Sequence, residues 1–193
     1  MSIHSRSLTD GRAARALFRV VACAGWALLA NARETLFRVD FGQEGTPRTF
    51  EKVGRFQGAL PPNVHENFAA WNASVARAER LTENGRAFLR IHADKVDSST
   101  QFWINEMDIA LPGVFELVVT ARPRASTLQF GLRQVGAPYR GFGDVDFPVS
   151  GEWKERRFLI QTRERCDSKV AIYFYTGGGD TDIASVELVR LSK

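Results

Sequence analysis

The stretch that decides the fold runs from Pro112 to Arg133, PGVFELVVTARPRASTLQFGLR. Phe115, Leu117, Val119 and Ala121 alternate with Glu116, Val118, Thr120 and Arg122; after a break at Pro123, Leu128, Phe130 and Leu132 alternate with Gln129, Gly131 and Arg133. A period of two is the repeat of a β-strand, whose successive side chains point to opposite faces. Pro112-Gly113 and Pro123 supply the turn chemistry that bounds such strands. Both segments are therefore strands with one apolar face.

The same period recurs on either side. Ala87, Leu89 and Ile91 alternate with Phe88, Arg90 and His92, and Val170, Ile172 and Phe174 alternate with Ala171, Tyr173 and Tyr175. Further strands are expected at 36–41, 101–110, 155–162 and 183–191, with turns at Asn84-Gly85, Ser150-Gly151 and Gly177-Gly178-Gly179. Helical periodicity rises only around 74–81, and weakly. The irregular stretch 43–83 is expected to hold one or two short extra strands. Eight or more half-apolar strands close as two packed sheets or as a barrel. No repeat or linker divides 33–193, which reads as one all-β domain.

Composition fits a folded domain, with 44% hydrophobic and 25% charged residues. The formal net charge of +4 is misleading about nucleic acid. Arg6, Arg12, Arg15 and Arg19 lie in residues 1–32, opposed there only by Asp10. Taking those four bases and one acid from the totals of 26 and 22 leaves a body of net charge +1. That is no field for binding phosphates, so no nucleic-acid partner is expected.

Residues 1–32 read as an export signal. A basic region ends at Arg19, an apolar run follows from Val20 to Ala30, and Ala30-Asn31-Ala32 fits a small-x-small cleavage pattern. The run is too short to span a bilayer, and the chain has no stretch of eighteen apolar residues, so no membrane partner is expected after signal removal. A lipoprotein box at Val20–Cys23, a membrane-lying amphipathic helix and an ordinary packed helix stand as alternatives. The signal reading implies a secreted or periplasmic protein. With Cys23 in the leader, Cys166 stands alone in 33–193, which leaves no internal disulfide and no thiolate metal cluster.

The order of segments resembles that of carbohydrate-binding modules of families 4, 9 and 22. Gly85-Arg-Ala-Phe-Leu-Arg-Ile91 is similar to their G-x-x-A-L-R-I strand, and Pro112-Gly-Val-Phe-Glu-Leu117 to their P-G-x-x-Y-x-L strand, with Ala121-Arg122 at its end. Gly151-Glu152-Trp153 matches a G-E-W strand entry. Val170–Tyr175, a glycine-rich turn and Ile183–Leu188 match the closing pair of strands. The resemblance covers 85–191. It implies a jelly-roll β-sandwich of two antiparallel sheets, related to galactose-binding domains, that binds a polysaccharide or oligosaccharide without cleaving it. A catalytic domain or partner enzyme is the companion such modules have. Their closing strand commonly carries a calcium-holding aspartate where this chain has Ala184 and Ser185. No cofactor is therefore expected, with a structural calcium on Asp40, Asp180 and Asp182 as the minor alternative to solvated turn aspartates.

No complete catalytic constellation is visible. Trp103–Ala110 resembles the E-x-D-x-(x)-E strand of family 16 glycoside hydrolases, but Ala110 stands where the acid/base glutamate belongs. Tyr173-Phe174-Tyr175 resembles one fragment of a jelly-roll lyase site without its companions. His65 and His92 show no metal-ligand spacing. Neither Gly141–Asp146 nor Gly177–Asp180 opens a helix, so neither is a phosphate loop.

A sugar-binding module needs aromatic faces for the apolar side of a pyranose ring and planar polar groups for its hydroxyls. Core-facing Val170, Ile172 and Phe174 put Tyr173 and Tyr175 on the outer face, about 7 Å apart. The resemblance places strands 101–110 and 128–134 in the same sheet, adding Glu106, Asp108, Gln129 and Arg133. A second candidate is the loop 134–148, with Tyr139 and Phe142 as binding residues, although Phe142 and Phe147 would equally cap the core. Trp153 reads as a structural plug. Trp103 shares parity with Met107 and belongs to the core unless a bulge turns it; Trp71 stays undecided. The alternative function is a protein-interaction or scaffolding sandwich, and a small lyase or hydrolase ranks third.

Overall fold

The structure, a computed structural model, describes residues 33–50, 55–71, 75–94, 99–125 and 127–192. The leader-like segment lies outside the described residues, as do residues 72–74, whose Asn-Ala-Ser is formally a glycosylation acceptor. Thirteen strands are present among those described, and no helix. They are β1 (Glu34–Asp40), β2 (Thr46–Phe50), β3 (Arg55–Leu60), β4 (Val64–Trp71), β5 (Val75–Glu83), β6 (Arg86–Ala93) and β7 (Ser99–Met107). They continue as β8 (Gly113–Pro123), β9 (Leu128–Gln134), β10 (Gly141–Asp146), β11 (Lys154–Thr162), β12 (Val170–Gly177) and β13 (Gly179–Ser192).

Two sheets form a jelly-roll sandwich. One has eight strands in the order β11-β8-β13-β6-β5-β3-β2, with β1 also on β13; the other has five, β10-β9-β12-β7-β4. The long β13 serves both neighbours on one side in turn: Gly179–Ile183 pairs β6, and Ser185–Arg190 pairs β1. Pairing is antiparallel except between β3 and β5. The alternating apolar residues meet between the sheets. Phe102 stacks on Phe174 with centroids 5.0 Å apart, and Phe56 and Phe41 approach these two rings edge-on from the other sheet.

Three segments depart from the sequence reading. The stretch 43–83 forms four strands, β2 to β5, not one or two. The weakly helical 74–81 is the strand β5, whose alanines Ala76 and Ala78 are buried at every second position; sheet pairing overrides alanine's helix propensity there. The expected loop 134–148 contains β10. Its ladder with β9 slips between Gly141 and Asp144, where Gly143 has φ +145°. This bulge turns both Phe142 and Val145 toward the interior.

A second bulge decides which face β7 shows. Asn105 has φ +44°, and the β12–β7 register slips opposite Ala171 and Ile172. Ile104 and Met107 both reach the core across that slip. Trp103 and Glu106 consequently fall on the other face, with Trp103 opposite Tyr173 and Glu106 opposite Ala171. Trp103 is thus turned by the bulge to the face away from the inter-sheet core, where it is nevertheless buried, 4% exposed.

Candidate functional site

The face of the five-stranded sheet turned away from the inter-sheet core collects most of the residues singled out in sequence, and its centre, Ala171, Tyr173 and Trp103, is buried. On β12 the core takes Val170, Ile172 and Phe174, which leaves Ala171, Tyr173 and Tyr175 on that face. On β9 the core takes Leu128, Phe130 and Leu132 and leaves Gln129, Gly131 and Arg133. The ladder then sets Tyr175 beside Gln129, Tyr173 beside Gly131 and Ala171 beside Arg133. Glu106 stands on the far side of Ala171. Tyr173, Tyr175, Glu106, Gln129 and Arg133 therefore share one surface.

Tyr173 does not stand free on that surface, as the sequence reading had it; it is fully buried, with 0% exposure. The reason is local. Gly131 has no side chain, and a Cβ there would lie 2.6 Å from both the Tyr173 hydroxyl and Asp144 Oδ1. The phenol ring crosses β9 through this gap, and its hydroxyl donates to Asp144 on β10. The Arg133 guanidinium covers the ring, its Cζ 4.5 Å from the centroid. Tyr175 meets Tyr173 edge-on at 5.1 Å and remains half-buried. Burial, and then the bond to Asp144, push the Tyr173 pKa well above the ordinary phenol value.

Three further side chains complete the face. Asp146 accepts from Gln129 Nε2 at 3.0 Å. Asp144 stands opposite Gly131, and Trp103 opposite Tyr173. The two aspartates escaped the sequence reading because Gly141–Asp146 looked like a glycine-rich loop; their spacing of two was the available signal. Arg133 is held over both tyrosine rings, with Cζ 5.9 Å from the Tyr175 centroid, while its Nε is buried and finds no hydrogen-bond partner among the described residues.

Other candidates fall elsewhere. Asp108 keeps the parity of Glu106, with Met107 and Ile109 in the core on either side, but it lies beyond the end of β7 and is exposed. Phe142 is a core residue, 8% exposed, turned inward by the Gly143 bulge, and so caps the core instead of lying open in a loop. Phe147 is likewise core. Tyr139 is 55% exposed at the tip of the β9–β10 hairpin, in the left-handed region with φ +56°. The side chains of His65 and Trp71 on β4 lie outside the described ones.

The open face of the eight-stranded sheet carries a different cluster. Asp182 is fully buried there and is gripped by Arg90, with Nε–Oδ1 2.7 Å and Nη2–Oδ2 3.0 Å. Arg122 and Arg124 reach the same carboxylate at 2.8 and 3.4 Å. His92 Nδ1 lies 2.7 Å from Asp180, beside a groove of about 420 Å³. Trp153 packs edge-on against Phe88 at 5.2 Å, with Arg86 and Arg122 over its ring. The three aspartates named as calcium candidates all have protein partners. Asp182 and Asp180 are committed to guanidinium groups and His92, and Asp40 Oδ1 accepts from the Gly42 amide at 2.8 Å. Among the described residues no group of three or more His, Cys, Asp or Glu side chains is placed to hold a metal ion.

No family model matches the sequence, and no curated protein does. Solved structures match it in fold. The enzymatically active domain of tailspike protein 4 from bacteriophage CBA120 superposes with a TM-score of 0.51 at 13% identity over 67% of this chain. This chain spans only 19% of that protein's length. The unliganded CBM1 module of BiXyn10A gives a TM-score of 0.48 at 16% identity, covering 80% of this chain and 97% of its own. The CBM22-1 xylan-binding domain of Paenibacillus barcinonensis Xyn10C gives 0.48 at 12%, covering 84% and 97%.

Proposed function

We propose that this domain binds an oligosaccharide or polysaccharide on the face of its five-stranded sheet and does not cleave it. The observation that carries the reading is the half-buried Tyr175 ring beside Arg133, both seated against the buried Tyr173 and flanked by Gln129, Asp144, Asp146 and Glu106. A sandwich needs nothing on its solvent side beyond small polar residues. Here aromatic rings and planar polar groups are locked in place before any ligand arrives, which lowers the entropy lost on binding. Tyr175 offers the half-exposed ring for a sugar face, and the carboxylates and amide offer directed partners for hydroxyls.

The state of Tyr173 supports binding over catalysis. A phenol that donates to a carboxylate and holds its proton far above neutral pH is a poor general base. The motif series along 85–191 supports the same function, and the leader-like residues 1–32 support export to where polysaccharides are met.

Affinity electrophoresis against a panel of soluble polysaccharides, followed by calorimetry, tests this reading. Tyr175→Ala is expected to weaken binding about tenfold, equivalent to about 1.4 kcal/mol. Retention of full affinity by Tyr175→Ala would place the ligand elsewhere, and absence of binding to every glycan would favour a protein partner.

A further inference from the structure

We infer that the saccharide bound on this face is an acidic one, and that Arg133 recognises a uronate carboxylate amid the sugar hydroxyls. The inference rests on the reading of that face as a saccharide site and names its ligand class.

The guanidinium of Arg133 is in an unusual state. Its Cζ lies 4.5 Å from the Tyr173 centroid and 5.9 Å from that of Tyr175, and contact with these rings removes part of its hydration. Its Nε is buried without a hydrogen-bond partner, and no carboxylate among the described residues forms an ion pair with it. Partial desolvation of a cation without a counter-charge is unfavourable unless a partner arrives. On the opposite sheet Arg90 is tied to Asp182 by two bonds, so this chain supplies carboxylates where its guanidiniums are structural. Arg133 has the planar fork and no such partner, and a carboxylate is the group that fork fits.

The surrounding acids narrow the ligand further. Asp144, Asp146 and Glu106 share the face with this one arginine, so a densely charged polyanion would be repelled. Asp144 and Asp146 already accept from Tyr173 and Gln129 and have lone pairs left for hydroxyl donors. The pattern therefore suits one carboxylate set among several hydroxyls. That is the chemistry of an oligosaccharide containing uronic acid.

Calorimetric titration of the whole chain with oligouronides of galacturonic, glucuronic and mannuronic acid, each beside its methyl ester, removes the ligand's charge without touching the protein. At least one acid is expected to bind about tenfold or more tightly than its ester, the scale of a charge-assisted bidentate contact. Arg133→Met, which keeps an apolar stem over Tyr173, should bring the acid-to-ester affinity ratio close to one. Arg133→Lys, with the charge but not the fork, should give an intermediate ratio. If esters and neutral xylo- or cello-oligosaccharides bind as tightly as the acids, the uronate inference is overturned and the saccharide reading stands. If no saccharide binds, both fall. Should Arg133→Met lose its native near-ultraviolet circular dichroism, the ester comparison on the unaltered protein decides alone.

Discussion

The two open faces of the sandwich both lay arginines over aromatic rings, and they differ in how the guanidiniums are satisfied. On the eight-stranded sheet Arg90, Arg122 and Arg124 converge on the buried carboxylate of Asp182, while Arg86 and Arg122 cover Trp153. On the five-stranded sheet Arg133 covers Tyr173 and Tyr175, and its Nε has no partner. A closed network holds strands together; an open one leaves a guanidinium nitrogen without a partner. Cross-strand register produces the first: Asp182 stands opposite Arg90 on one side and Arg122 on the other, an opposite-charge ladder of the kind that stabilises adjacent strands.

The sharpest way to break this comparison is to remove the centre of the closed network. Asp182→Ala leaves three guanidiniums around an empty buried site, and breaking a buried ion pair from one side costs about 3–5 kcal/mol. For a domain of this size the melting temperature should fall by on the order of 10 °C. Oligosaccharide affinity, measured where the variant is still folded, should not change. A fall of only a degree or two would mean that the cluster is surface decoration and that the contrast between the faces fails.

On the other face the largest effect belongs to Gly131→Ala. The new Cβ would sit 2.6 Å from the Tyr173 hydroxyl and from Asp144 Oδ1, and 2.8 Å from the Gly143 carbonyl. Something must move, and overpacking of this kind costs about 1–3 kcal/mol. Because the displaced groups are those of the proposed site, affinity should fall with stability, unlike in Asp182→Ala. Unchanged affinity would show that the seat of Tyr173 does not matter to the ligand.

The fold was legible in sequence wherever the period of two ran uninterrupted, as in Phe115–Ala121 and Val170–Tyr175. It was lost at bulges, because a single extra residue reverses the face of every residue after it. Asn105 turned Trp103 to the face away from the inter-sheet core, where it is buried all the same. Gly143 sent Phe142 inward and disguised β10 as a loop. That Tyr173, Tyr175, Gln129 and Arg133 share one face was readable, since each lies on a regular ladder, and Glu106 kept that face because it follows the bulge. The burial of Tyr173 was not, because it depends on the missing Cβ of Gly131 on a neighbouring strand and on Asp144 one strand further.

Tyr173→Phe isolates the hydroxyl from the ring. Losing the donor to Asp144 should cost about 0.5–1.5 kcal/mol at neutral pH, within the range for one hydrogen bond to an accessible acceptor. The pH dependence carries more information. The folded pKa of Tyr173 is raised above its unfolded value of about 10, so its contribution is fully present below that pH. It is lost as pH rises toward the folded value, because the unfolded chain releases the proton first. Urea midpoints between about pH 8 and pH 11 should therefore decline less steeply in Tyr173→Phe than in the parent. Parallel curves would place the phenol in ordinary solvent.

The smallest effect is expected at the rim of the closed network. Glu83 bonds to Arg122, and that bond holds the Glu83 pKa below the usual carboxylate value, but its carboxylate faces solvent. The sign is that of a depressed acid: whatever the pair contributes is present above the unfolded pKa and is lost as pH falls through the folded one. In Glu83→Gln the guanidinium of Arg122 still has Asp182, so little is left unpaired, and exposed pairs are heavily screened. The melting temperature at neutral pH should match the parent within error, with only a slightly shallower acid limb. A loss approaching that of Asp182→Ala would mean that the charges across β5, β6, β13 and β8 act as one cooperative ladder. The distinction between buried clamp and exposed rim would then have to be abandoned.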